Sequence, residues 1–346
     1  MDIALFDYDL PRQMIAQRPS EGRDESRLLA LDRSSGRIRH GVFREIVEML
    51  TPRDTLVLND TRVIPARVNG RRETGGKVEV LFLEDRGRGR WTALMQAKGK
   101  LRVREFILFD GGMLRAEIIN REPDGVYMLR FRENDDVPAM MERVGKTPLP
   151  MYIVRARPNH AIHREDGERY QTVYARHAGS VAAPTSGLHF TEALLAEIER
   201  KGVQIARVTL HVGLATFAPV KVKRVEDHKM HAERFSVTPE EADRLNGAKR
   251  DGRRIVAVGT TTTRLLEALA ADGEIKPGEG STRIFIYPGF RFRFVDALIT
   301  NFHLPRSTLL MLVSAFAGRE KILHAYEEAK REGYRFYSYG DAMFIF

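Results

Sequence analysis

The 346-residue chain contains no cysteine. That excludes disulfides, thiolate metal sites and cysteine nucleophiles, and leaves the cytosol as the simplest compartment. Long apolar runs are scarce as well. The longest, "LLMLVSAFAG" from Leu309, is about half the length needed to cross a bilayer, so it predicts a buried helix and no membrane span. The opening "MDIALFDYDLP" is acidic and broken by proline, unlike a signal or transit peptide, and a cytoplasmic protein is expected. No G-x-G-x-x-G occurs, and "GRRETGGKV" misses the P-loop template by an extra residue and by a valine where Ser or Thr should bind magnesium. His228 and His231 in "HKMH" have chelating spacing if helical, but no further acid or histidine cluster accompanies them, so no metal site is expected.

What is present is an ordinary soluble composition, 43% hydrophobic and 30% charged, in a chain long enough for two domains at roughly 150 residues each. The net charge of +9 is concentrated in one place. Between Arg62 and Arg104 twelve Lys and Arg face four Asp and Glu, a net +8, which leaves +1 for the rest of the chain. A block of that kind is the electrostatic footprint of a polyanion partner, most simply nucleic acid, although a solvated arginine-rich surface has the same composition.

From about Val68 to Arg132 the runs "KVEVLFLE", "WTALMQA", "REFILF", "LRAEIIN" and "VYMLRF" alternate with "RGRGR", "DGG" and "EPDG" turns. Five short strands predict a small β-barrel or sandwich. Upstream, "TPRDTLVLNDTRV" reads as a buried strand entering a polar loop; beyond Tyr170 strands alternate with helices. Thr238, Pro239 and Glu241 form a helix start, followed by the strand "RIVAVG", a four-threonine loop and the helix "RLLEALAADG". Further strands are expected at "STRIFIYPG", "DALITNFHLP" and "AMFIF", with helices from Ser307 and Lys321. The expected architecture is α/β: a large α/β domain built from both chain ends, residues 1–66 and 150–346, with a small all-β barrel, 67–149, inserted into it.

In "SVAAPTSGLHFTEALLAEIERKGV" a small-residue loop carrying His189 ends where Thr191 caps a helix, the kind of end that welcomes anionic ligand groups. Taken alone, these residues also suit a packed turn. Four more polar loops follow predicted strands: "NDTRVIPAR" at Asn59, "HVGLATFAPV" at His211, "GTTTTR" at Gly259 and "TNFHLPRST" at Thr300. Loops at strand ends are the usual ligand location in α/β sheets, and these offer Asp60, Arg62, His189, His211 and His303 to one sheet edge.

These loops, with "FDYDLP", "RYQTVYARHAGSVAAPTSGLHF", "TNFHLPRSTLLMLVSAFAG" and "YRFYSYGDAMFIF", closely resemble the S-adenosylmethionine:tRNA ribosyltransferase-isomerase family of queuosine biosynthesis, over nearly the whole chain. The resemblance implies an α/β domain interrupted by a β-barrel. It implies S-adenosylmethionine as ribosyl donor, with no metal or redox cofactor. The acceptor it implies is 7-aminomethyl-7-deazaguanine at the wobble position of tRNA with a guanine-wobble anticodon, giving epoxyqueuosine, adenine and methionine. A monomer without membrane association is expected. The chain departs from the family pattern at Leu214-Ala215, where Ala-Gly is usual, and at "GTTTTR", where Gly-Thr-Thr-Ser-Val-Arg is usual. The first removes the backbone freedom of glycine at 215; the second keeps a hydroxyl at 262.

A sulfonium acidifies the hydrogens on the adjacent ribose carbon, so the reaction needs a base to remove one and an acid for departing adenine. His189 and His211 are the expected proton-transfer groups, with Asp60 holding the substrate amine or an imidazole. Gly259, Thr260, Thr261 and Thr262 are expected to hold the methionine carboxylate or ribose hydroxyls, with His303 beside them, although the threonine run equally suits a helix cap. Asn59, Arg62, Arg67, Arg71, Arg72 and Arg102, with Lys98 and Lys100, are the expected RNA contacts, and Tyr170 or Phe217 could stack on the modified base. Two other classes fit part of this pattern: an S-adenosylmethionine-dependent RNA methyltransferase, and a noncatalytic RNA-binding protein.

Overall fold

Strand-rich segments form a nine-stranded sheet, a closed barrel and a two-stranded sheet in the computed structural model, which describes residues 1–123, 125–156, 165–213, 220 and 222–346. In chain order the strands are β1 (Arg27–Leu31), β2 (Ile38–Val42), β3 (Asp54–Asn59), β4 (Thr61–Val63), β5 (Arg67–Arg72), β6 (Lys77–Asp85), β7 (Arg90–Ala97), β8 (Phe106–Phe109), β9 (Leu114–Arg121) and β10 (Tyr127–Arg130). They continue with β11 (His177–Ser180), β12 (Gln204–Leu210), β13 (Glu233–Val237), β14 (Arg254–Val258), β15 (Gly278–Thr282), β16 (Ala297–Asn301) and β17 (Ala342–Ile345).

The larger sheet runs β15-β13-β12-β3-β14-β16-β17-β1-β2 and so draws on both chain ends. Its central strands are buried on both faces. Leu56 and Leu58 of β3 point to a cluster with Phe190, Leu194 and Ile198, while Val57 points to the other side among Leu265, Leu310 and Tyr326. Helices cover both faces, as a largely parallel centre requires. The apolar run from Leu309 forms part of the buried helix Thr308–Ala317, capped by Ser307. Among the described residues no helix is long and apolar enough to cross a membrane.

The second sheet is a closed barrel in the order β10-β7-β6-β5-β8-β9 around Phe82, Phe109, Ile118 and Leu129, and β4 pairs with β11 in a separate two-stranded sheet. All its strands fall between residues 67 and 130. Six strands close it where five are expected. The additional one, β5, has the sequence RVNGRR, with a single β-branched residue; its strand character comes from pairing with β6 and β8 and not from its own residues. Two other expectations change, and one condition left open is decided. "STRIFIYPG" is extended only to Thr282, as the rest of β15 pairs with β13 and no partner continues beyond. "HKMH" is not helical, because the short turn Val225–Asp227 ends at His228. The four threonines are not a loop but the first turn of the helix Thr260–Leu269.

Candidate active site

β12, β3, β14 and β16 lie side by side and parallel, so their carboxyl ends share one edge of the large sheet. The chain leaves that edge at His211, Asp60, Gly259 and Phe302, which brings four of the expected loops together. The fifth, the short 3₁₀ turn Thr185–His189, lies against the end of β16. A cleft of about 430 Å³ opens there, walled by Thr185, Ser186, Val212, Gly259, Thr260, Thr261, Asn301, His303, Tyr337 and Ser338 among others.

Gly259 caps the helix with φ +93° and ψ 151°, a combination close to glycine-only. The cap has no side chain, and the first-turn N–H groups of residues 260–262 precede the first intrahelical bond, Thr263 N–H to Gly259 O at 3.1 Å. They are therefore donors available at the cleft. Thr260 and Thr261 wall that cleft. Thr262 does not; its hydroxyl donates back to the Val258 carbonyl at 2.6 Å.

His189 is buried with both ring nitrogens engaged. Asn301 Oδ1 accepts from the Thr185 and Ser186 hydroxyls at 3.2 and 3.0 Å, so its amide nitrogen faces His189 Nε2 at 3.0 Å. Nε2 then accepts, and Nδ1–H donates to Ser26 Oγ at 2.7 Å. Burial, with Arg335 and Arg23 nearby, pushes the His189 pKa down to about 3. Its placement is that of a neutral ring which holds Asn301 against the cleft. His303 is also buried, its Nε2 3.0 Å from Thr300 Oγ1, and burial pushes its pKa down to about 3.

Both rings must be neutral in the fold, while in the unfolded chain they titrate near ~6.5. The unfolded state therefore binds more protons between about pH 6.5 and 3. Stability is fully present above that window and is lost as pH falls through it, with a slope approaching ~1.4 kcal/mol per pH unit for each histidine. Urea titrations at pH 7 and pH 5 will show this, and His303→Gln should flatten the difference; an unchanged pH dependence in that variant removes His303 from the cause.

At the ends of β3 and β12 a second group of side chains assembles. Asp60 is buried, with Oδ1 accepting from Thr209 Oγ1 at 2.7 Å and Oδ2 3.6 Å from His177 Nε2. His211 Nδ1 lies 2.8 Å from Thr61 Oγ1, whose hydroxyl donates to the His177 carbonyl at 3.5 Å. With the Thr61 proton directed to that carbonyl, Nδ1 carries the ring proton and Nε2 is left as a base. Burial first, then Arg234 and His177, hold the His211 pKa below the usual imidazole value. A Cβ on Gly179 would stand 2.8 Å from His211 Cε1, so only glycine lets the ring lie there. His177, half-exposed beside Asp60, was not among the expected site residues; its place in "RYQTVYARHAGSV" marks it only once β11 pairs in parallel with β4.

Asn59 is buried and structural in its contacts, with Nδ2 donating to Leu210 O and Oδ1 accepting from Leu210 N–H. Tyr170 is fully buried edge-on to Tyr339 and offers no free face. Phe217 and Leu214-Ala215 lie outside the described residues. On the barrel, Arg67 pairs with Glu79, and Arg72 pairs with Glu105 at 3.2 Å. Arg62, Arg71, Lys98, Lys100 and Arg102 are exposed. Among the described residues no cluster of His, Asp and Glu is arranged to hold a metal ion.

Comparison with known proteins gives a consistent result. A family model described as "Queuosine biosynthesis protein" matches residues 3–345. Proteins named S-adenosylmethionine:tRNA ribosyltransferase-isomerase from Heliobacterium modesticaldum and Symbiobacterium thermophilum are 50% and 51% identical over 348 and 347 aligned residues, covering 100% of each chain. A crystal structure of S-adenosylmethionine tRNA ribosyltransferase from Thermotoga maritima is 39% identical over 99% of this chain and 100% of that one, with a TM-score of 0.57.

Proposed function

Because the chain belongs to the queuosine biosynthesis protein family, we propose that it is an S-adenosylmethionine:tRNA ribosyltransferase-isomerase. Its acceptor is 7-aminomethyl-7-deazaguanine at the wobble position of tRNA, and its products are epoxyqueuosine-tRNA, adenine and methionine. The observation that carries the reading is the meeting, at one sheet edge, of the His211 imidazole, an Asp60–His177 pair and a helix N-terminus facing a cleft of about 430 Å³. Val212, the neighbour of His211 in the chain, walls that cleft together with Gly259.

His211 Nε2 takes a proton from the ribose carbon attached to sulfur, adenine leaves as the sugar ring opens, and the same imidazolium is placed to return a proton. His177 accepts a proton from the aminomethyl group, so that the amine is neutral when it attacks the opened ribosyl chain, and Asp60, 3.6 Å from His177 Nε2, balances the imidazolium that forms. His189 acts as a positioning residue: it keeps Asn301 turned toward the cofactor. The N–H groups of residues 260–262 and the Thr260 and Thr261 hydroxyls hold the ribose oxygens. The protein works as a monomer in the cytoplasm and needs no metal or redox cofactor.

For the RNA, the exposed residues Arg62, Arg71, Lys98, Lys100 and Arg102 supply the phosphate contacts, while Arg67 and Arg72 are spent on Glu79 and Glu105. Neutralising Arg71 and Arg102 together should weaken tRNA binding and reduce the magnitude of the salt slope by about 1–2, since each phosphate contact contributes about 0.7–0.9. An unchanged slope in that variant means that this face does not carry the RNA.

The reading as a whole is tested by mass spectrometry on the protein, S-adenosylmethionine and an anticodon stem-loop bearing 7-aminomethyl-7-deazaguanine. Free adenine with an epoxycyclopentane-type mass gain on the base supports it. S-adenosylhomocysteine with a methyl gain replaces it by a methyltransferase, and RNA binding without reaction by a noncatalytic binder.

A further inference from the structure

Beside the cleft lies a second cavity of about 270 Å³, walled by Arg23, Arg169, His189, Ser338 and Tyr339 among others. Ser338 lines both cavities, so they abut. The charge in the smaller one is uncompensated. Arg23 donates to the carbonyls of Glu168 at 2.8 Å and Leu188 at 3.3 Å; Arg169 donates to those of Glu21 at 3.0 Å and of Ser20. All four partners are neutral backbone. Among the described residues neither guanidinium has a carboxylate within 4 Å, whereas the nearby Arg335 is paired with Asp341 at 3.4 Å. Arg169 Nε is buried without a hydrogen-bond partner. Burial, and Arg169 next to it, hold the Arg23 pKa below the ordinary arginine range.

Two fixed guanidiniums side by side at half-buried positions repel each other, and an oxoanion between them turns that cost into attraction. Their planar forks fit a carboxylate in two-point contact better than a compact ammonium would. The position also decides among anions. A ligand that fills the larger cleft with its nucleoside reaches the smaller one past Ser338 with a short flexible arm. Of the reactants in the proposed reaction, the sulfonium cosubstrate alone joins a nucleoside to an arm that ends in a carboxylate.

We propose that Arg23 and Arg169 form an oxoanion pocket for the amino-acid carboxylate of S-adenosylmethionine. The inference rests on the reaction proposed above, and leaves the helix end at Gly259 to the ribose oxygens. Fixing the carboxylate anchors the sulfonium between the two cavities, because only a short methylene chain separates sulfur from the carboxylate-bearing carbon. It also accounts for the ordered His189–Asn301 contact at the border of both cavities: the ring is held neutral, so it adds no third positive charge beside the arginines.

The test compares S-adenosylmethionine with its decarboxylated analogue, following adenine release in the wild type, Arg23→Gln and Arg169→Gln. With S-adenosylmethionine each variant should lose about tenfold or more in kcat/KM, mainly through KM, with the KM for tRNA unchanged. The wild type should lose a similar factor on the decarboxylated analogue, and the variants should lose nothing further on it, since the interaction is already gone. Arg169→Lys should recover part of the loss. Equal efficiency of the wild type on both cosubstrates overturns the proposal without any variant, even where the glutamine variants fail to fold. Equal losses of the variants on both cosubstrates also overturn it. So does a higher KM for tRNA with a weaker salt dependence, which would place an RNA phosphate between the arginines. No adenine release by the wild type with either cosubstrate, alongside intact RNA binding, would overturn the proposed reaction itself.

Discussion

His211→Ala is expected to lower kcat by about 10²–10⁴-fold, the range of a lost general base or acid, with tRNA affinity unchanged. The expectation follows from the bonding of one ring. Thr61 Oγ1 anchors Nδ1 at 2.8 Å and Gly179 leaves room for the ring face, so Nε2 is held in place to act as the base. The lowered pKa adds a second readout. As a base His211 must be neutral, and burial with Arg234 and His177 depresses its pKa, against a smaller raising effect of Glu279. The acid limb of kcat/KM in the wild type should therefore lie below the ordinary imidazole value near ~6.5. Thr61→Val should retain the ring but lose its tautomer control, and should reduce kcat less than the alanine variant does. Near-normal single-turnover rates in His211→Ala would remove this residue from the chemistry.

Gly259→Ala should cost about 1–3 kcal/mol of stability and a still larger share of activity. Space is not the obstacle. A Cβ at this position would meet Ser186 Oγ and Thr261 Oγ1 at 3.6 Å, an ordinary contact. The obstacle is φ +93° with ψ 151°, which an alanine adopts only under strain. Relief of the strain turns the peptide before Thr260 and re-aims the N–H groups of the first turn, and misplacement of about 1 Å in a positioning element costs up to ~10²-fold in rate. The loss should appear mostly in KM for S-adenosylmethionine. Ser186→Ala, which removes the nearest side-chain neighbour without touching the backbone, should give a much smaller effect on that KM. If the two variants behave alike, the glycine conformation is not what orients the helix end.

Much of this arrangement could be read from the chain before any coordinates. β3 is apolar throughout its centre and ends in Asn-Asp; β14 and β16 end in Gly-Thr and Asn-Phe-His. Strands buried on both faces with polar residues just past their carboxyl ends announce a site, because polar groups there are otherwise expensive to bury. What could not be read is partnership across distance. Asn301 and His189 are 112 residues apart and become a pair only through the seating of the Thr185–His189 turn on β16. His189 alone looks like an acid–base group, and only the occupied second nitrogen gives it another role. Arg23 and Arg169 are invisible for the same reason, separated in the chain by the whole barrel and distinguished only in space, where among the described residues neither has a carboxylate within 4 Å. β5 escaped because its residues carry no strand preference of their own, and the threonine run because β-branched residues at a glycine-capped helix start look like a turn.

The strand order also dictates an order of assembly. The barrel closes on contacts within residues 67–130, whereas β17 must fit between β16 and β1, strands that lie more than 250 residues apart in the chain. Loop closure over so long a span is slow compared with local hairpin pairing. In a refolding experiment, amide protons of β6 and β7 should thus gain protection before those of β1 and β17. Of the residues that lead into β17, Tyr337 walls the larger cavity, Tyr339 the smaller and Ser338 both. A folding intermediate would hold an intact basic barrel and no completed cavity, able to attract RNA and unable to act on it.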